Sequence, residues 1–133
     1  MHDHTENIQI ECEENCGNSP KKKLLRDINI AFAKNDFDFC MSWIRDDIIW
    51  EMIGDQRLEG KEALRQEWDR MKERKVQQLI IHNIITHGNA ASVNGTVKLQ
   101  DDQTIAFCDV YQFAGFGKNA KIKTITSYVV PLT

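Results

Sequence analysis

Three things are missing from this chain, and each absence removes a class of function. No apolar run approaches the roughly 20 residues that a bilayer-spanning helix needs, so no membrane partner is expected. There is no basic excess: 17 Lys and Arg stand against 20 Asp and Glu, for a net charge of -3. The single basic run, Lys21-Lys22-Lys23, has no interleaved aromatics and reads as a solvated helix start, so no nucleic acid is expected either. Nor is there a glycine-rich phosphate loop, a P-loop or a Ser–His–Asp order. Gly115-Phe116-Gly117 follows a strand pattern but opens no helix, which makes it a plain loop. The first residues, Met1 to Asn7, are polar and acidic with no apolar segment. A secretory signal is not expected, and the cytoplasm is the expected location.

What remains is ordinary for one soluble domain: 133 residues, 41% hydrophobic and 28% charged. In a cytoplasmic setting the four cysteines should stay reduced. Cys40 lies in an apolar helical pattern and Cys108 in an apolar strand pattern, both as small hydrophobes. Cys12 and Cys16 lie close to His2 and His4, a ligand set that could hold zinc, but the spacing does not match the usual zinc signatures. No metal and no cofactor are therefore expected.

Periodicity divides the chain. Residues 1–18 read as a flexible extension with one short strand near Ile8-Gln9-Ile10. Ser19-Pro20 is an N-cap followed by proline at the first helical position, and Leu24, Leu25, Ile28, Ala31 and Phe32 then form one helical stripe. A shorter helix, capped by Asp36, carries Phe37, Cys40, Met41 and Ile44. A strand is expected over 46–54, and a third helix over 61–74 with Ala63, Leu64, Trp68 and Met71 inward. Beyond Arg74 the period becomes extended. Strands are expected over 76–87, 90–99, 104–113 and 120–130, with turns at His87-Gly88-Asn89 and Asp101-Asp102. Helices first and a long antiparallel meander after them define an α+β domain over 19–133.

The strand over 76–87 is apolar on both sides. One side would receive Ile80, His82 and Ile84, the other Leu79, Ile81, Asn83 and Ile85. A single helical layer covers only one face. Ala106, Cys108 and Val110 on a later strand would suit a flat contact, so a homodimer through the convex sheet face is expected. The alternative cover is the N-terminal tail folded back over that face.

Several segments in this order carry a resemblance. They are Phe32-Ala33-Lys34-Asn35-Asp36, Asp46-Asp47-Ile48-Ile49-Trp50-Glu51, Leu58-Glu59-Gly60-Lys61-Glu62-Ala63-Leu64-Arg65, Asp109-Val110-Tyr111-Gln112-Phe113, Lys121 to Ile125, and Ser127-Tyr128. Together they resemble the nuclear transport factor 2-like superfamily, in its SnoaL-like and ketosteroid isomerase-like branch. The resemblance covers about residues 19 to 133 and implies a cone-shaped, cystatin-like roll: a curled antiparallel sheet on N-terminal helices, commonly dimeric, with a pocket between them. It does not choose a reaction, because members include isomerases, dehydratases, epoxide hydrolases, polyketide cyclases and non-catalytic modules.

The positions that would decide the reaction can be checked singly. A steroid isomerase of this type needs a carboxylate base on the first long strand and two hydrogen-bonding acids for the enolate oxygen. Alignment through Asn35-Asp36 and Asp46-Asp47 puts Met52 at the base position and Ile28 at the tyrosine position, leaving only Asp109. A thioether takes no proton at neutral pH, so steroid isomerisation is not expected. The superfamily's epoxide hydrolases pair two aspartates with an arginine, and no arginine follows Arg74. A dehydratase pair survives: His82 and Asp109 as acid–base groups. Trp50, Met52, Trp68, Phe107, Tyr111, Tyr128, Ile28 and Phe32 are the expected lining for a small, largely apolar organic ligand. The expected activity is isomerase- or lyase-like proton transfer, and the alternative is a non-catalytic ligand-binding or dimerisation module.

Overall fold

The structure is a computed structural model that describes residues 8–13 and 19–132. Its first element is a short strand, β1 (Gln9–Cys12). Helix α1 (Pro20–Ala33) begins where Ser19 accepts the Lys22 amide at 3.2 Å, and α2 (Phe37–Ser42) where Asp36 accepts the Phe39 amide at 3.2 Å. Then come β2 (Ile44–Met52), β3 (Gln56–Glu59), α3 (Lys61–Met71) and four long strands: β4 (Val76–His87), β5 (Ala90–Leu99), β6 (Thr104–Phe113) and β7 (Ile122–Pro131). Gly60 caps α3 with φ 88°, a conformation that costs a glycine little.

All seven strands form one sheet in the order β1-β4-β5-β6-β7-β2-β3. β4 to β7 run antiparallel, as the alternating sequence led us to expect. The sheet as a whole is mixed, because β2 pairs parallel with β7 and β1 parallel with β4. The expectation of a purely antiparallel sheet is corrected there: both parallel contacts join segments far apart in sequence, which no local turn signal reports.

The sheet curls around α1 and α3. Leu25 and Ile28 of α1, Leu64 of α3, and Ile48, Ile81, Val93, Ile122 and Ile125 of the sheet are almost wholly buried between the layers. Each such aliphatic side chain contributes about 1.5–3 kcal/mol on burial. β4 bulges between Ile81 and Asn83. Opposite it stands Gly95, where a Cβ would fall 2.0 Å from the Ile80 carbonyl oxygen, so the two backbones meet as only glycine permits.

The short strand expected near Ile8-Gln9-Ile10 is present as Gln9–Cys12, an edge strand of the sheet opposite Gln78 to Ile81. Ile8, Ile10 and Cys12 pack against the core from this edge, so this segment does not lie over the convex face. Cys12 is disulfide-bonded, which corrects the expectation of four reduced thiols, while Cys40 and Cys108 are free. His2, His4 and Cys16 lie outside the described residues.

Candidate functional site

An inner cavity of about 210 Å³ lies between α1, α3 and the concave sheet face. Phe32, Trp50, Met71, Val76, Leu79, Val97 and Phe107 make it apolar, and Asn29 and Asp109 are its two polar side chains. It continues into an outer funnel of about 630 Å³ that shares Trp50, Met71, Val97, Phe107 and Asp109. Met52 and Ser127 join the funnel wall, and Asp55, Glu67, Arg70 and Arg74 stand toward its mouth. Three of those side chains are already engaged, Arg70 with Glu67 and Arg74 with Gln103.

Asp109 sits at the junction of the two chambers. Strand alternation aims Phe107, Asp109 and Tyr111 of β6 inward together. Register across β6 and β7 brings Ser127 directly opposite Asp109. The Ser127 and Tyr111 hydroxyls lie beside the carboxylate and favour its charged form. Behind these donors stand two more. Trp50 Nε1 donates to Ser127 Oγ at 2.8 Å. Asn29 Nδ2 donates to the Leu25 carbonyl at 2.8 Å and to the Tyr111 hydroxyl at 3.4 Å. The result is a converging chain: Trp50 to Ser127 to Asp109 from one side, Asn29 to Tyr111 to Asp109 from the other.

That geometry sets the acidity. Burial pushes the Asp109 carboxyl up to about 6, because the charged form loses its water. The two hydroxyl donors favour the carboxylate and oppose that rise. Tyr111 is raised well above its ordinary value by burial and by the Asp109 charge, and remains a proton donor at neutral pH. Asp109 is therefore a carboxylate poised near neutrality in an apolar chamber, the arrangement a general acid or base requires.

Not every residue expected at the site is there. Asp109, Trp50, Met52, Phe107 and Phe32 line the cavity, and Tyr111 touches the carboxylate from behind. His82 does not meet Asp109. The β4 bulge resets the alternation, so that Leu79, Ile81 and Ile84 are buried while His82 is turned outward, where Nδ1 pairs with Glu13. The expected His82–Asp109 pair is not formed. Tyr128 is also on the far face, 47% exposed, because Ser127 holds the inward position beside it. Ile28 is sealed in the core. Trp68 is one layer back: its ring stacks on Phe32 at 4.7 Å, and its other surroundings are a groove outside the cone with Phe37 and Arg65. Among the lining residues that escaped the sequence reading are Asn29, Ser127, Met71, Val76, Leu79 and Val97. Asn29 alone left a clear signal, as a polar residue four positions after Leu25 in an apolar helical stripe.

Among the described residues no cluster of His, Cys, Asp or Glu could hold a metal, and no helix is long and apolar enough to cross a membrane.

Comparison with known proteins agrees with this architecture. The SnoaL-like domain family matches residues 25–122, and the chain belongs to that family. An NTF2-like protein of unknown function from Cytophaga hutchinsonii is 25% identical, with a TM-score of 0.64 over 83% of this chain and 99% of that one. A putative SnoaL-like polyketide cyclase from Shewanella denitrificans is similar in fold, at 12% identity and a TM-score of 0.68 over 83% and 90% of the two chains. So is SalBIII, an epoxide hydrolase/cyclase-like enzyme of pyran ring formation in salinomycin, at 13% identity and a TM-score of 0.70 over 87% and 95%. No curated protein matches the chain.

Proposed function

We propose that this protein binds a small, largely apolar organic molecule in the cone and moves a proton on it, with Asp109 as the acid–base group. The observation that carries this reading is a carboxylate where the apolar inner cavity meets the funnel, raised to about 6, with the Ser127 and Tyr111 hydroxyls beside it. Phe32, Trp50 and Phe107 would flank the ligand, and Ser127 and Tyr111 would fix the carboxylate's orientation while it gains and loses its proton. Isomerase- or lyase-type chemistry fits a site in which one group can remove a proton and return it.

The test uses a panel of cyclic enones, β-hydroxyketones and phenolic ketones in deuterated water, followed by proton NMR. The wild type should accelerate exchange or conversion of at least one member, with a rate that rises as pH passes about 6, and Asp109→Asn should abolish it. Equal rates for the two proteins across the panel, with ligand binding retained, would leave the non-catalytic binding module as the correct reading.

We further propose a homodimer through the convex sheet face. Its support is the row of exposed apolar side chains there: Ile85, Val110, Tyr128 and Val130. Native mass spectrometry should show a dimer that Val110→Asp converts to monomer, and a wild-type monomer at micromolar concentration would overturn it.

A further inference from the structure

The inner cavity contains a hydrogen-bond acceptor with no partner. Asn29 is 7% exposed and lines that cavity. Its amide orientation is set by the Leu25 carbonyl: only the nitrogen can face that acceptor, and the same nitrogen also reaches the Tyr111 hydroxyl. The nitrogen is thus committed, and Oδ1 is the atom without a hydrogen bond among the described residues. A buried polar atom left unpaired is costly, and a native fold that keeps one invites an explanation.

The rest of the chamber sharpens the point. Its other polar group, Asp109, presents a carboxylate, which is again an acceptor. The Trp50 N–H is committed to Ser127, and the Ser127 and Tyr111 hydroxyls favour the charged form of Asp109. Among the described residues, the polar side chains that line the chamber thus present two acceptors, Asn29 Oδ1 and the Asp109 carboxylate. A ligand that presents only a carbonyl oxygen here would set acceptor against acceptor.

We infer that the ligand is an apolar molecule with a hydroxyl group at its leading end, an alcohol or phenol whose O–H donates to Asn29 Oδ1 or to the Asp109 carboxylate. This rests on the pocket reading above and narrows it from an apolar molecule to a hydroxylated one. It also gives Asn29 a specificity role: the side chain selects for a donor, while its nitrogen steadies Tyr111.

Isothermal titration calorimetry with two probes of similar size tests this directly. 2-Naphthol carries a donor and 2-fluoronaphthalene does not. A buried hydrogen bond to a charged or unpaired acceptor should favour naphthol by roughly tenfold or more in Kd. In Asn29→Leu, checked for folding by circular dichroism, the ratio of the two affinities should shrink by about threefold or more. Equal affinity of the wild type for the two probes overturns the hydroxyl inference and leaves the pocket reading standing. Failure of both probes to bind sinks the pocket reading and this inference with it. The wild-type comparison decides the matter even if the variant does not fold.

Discussion

On the concave face of the sheet, Ile81, Val93, Tyr111 and Ile125 are almost completely buried; on the convex face of the same strands, Ile85, Val110, Tyr128 and Val130 are 42% to 61% exposed. The residue types are similar and the strands are shared. What differs is the covering layer. Helices α1 and α3 close over one face and leave a chamber, while among the described residues nothing lies over the other. Apolar content alone therefore does not say where a binding site is. The concave face becomes a candidate site because two polar side chains, Asn29 and Asp109, interrupt it where the helices fail to fill it.

Substitutions can break this contrast, and the largest effect is expected where the curl itself is made. Gly95→Ala would push a methyl into the Ile80 carbonyl, and neither backbone can yield without undoing the bulge. A loss of about 3 kcal/mol or more, or failure to fold, should appear in a chemical denaturation curve. Next comes a matched pair. Ile81→Ala, from the concave face, should cost about 2–5 kcal/mol whatever the protein concentration. Ile85→Ala, from the convex face, should cost under about 0.5 kcal/mol in a monomer. If the convex face is an interface, the wild-type melting temperature should rise with protein concentration and Ile85→Ala should weaken that rise.

Asp109 provides a third test, in pH. Its folded value of about 6 lies above its ordinary 3.8, so the folded protein binds this proton more tightly than the unfolded chain does. Its contribution is fully present below about 3.8 and is lost as pH rises through about 6. The span corresponds to about 3 kcal/mol. Asp109→Asn should remove that slope, so that the stability difference between wild type and variant changes by on the order of 2–3 kcal/mol between pH 4 and pH 7. A parallel pair of stability curves would mean that the carboxylate is not buried as described. The smallest effect belongs to His82. Because it pairs with Glu13 on the exposed side, His82→Gln should change stability by less than about 1 kcal/mol and leave proton transfer in the cone untouched.

These cases also show which parts of the molecule the sequence made legible. Strands β4, β5 and β6 end where alternation and Gly, Asn and Asp turns say they should, because those signals are local. β3 was missed: Gln56-Arg57-Leu58-Glu59 has one buried residue, and only its ladder with β2 makes it a strand. Asp109 was found because a carboxylate in an apolar strand is conspicuous. Ser127 was not, since its part depends on the register between β6 and β7. His82 was assigned to the wrong face because counting by twos fails across a bulge, and nothing near residue 82 announces one. Tyr128 failed by a single position, with the smaller Ser127 facing inward in its place.

β1 has a consequence of its own. It spends four residues shielding the outer edge of β4, one of the longest and most aliphatic strands of the sheet, and the Glu13–His82 pair fastens the end of that shield. Without it, Gln78 to Ile81 would present a bare row of amides and carbonyls beside exposed isoleucine, which is a template for strand addition by another chain. The N-terminal segment thus covers part of that edge, and removal of the residues before Ser19 should increase self-association, as read by analytical ultracentrifugation.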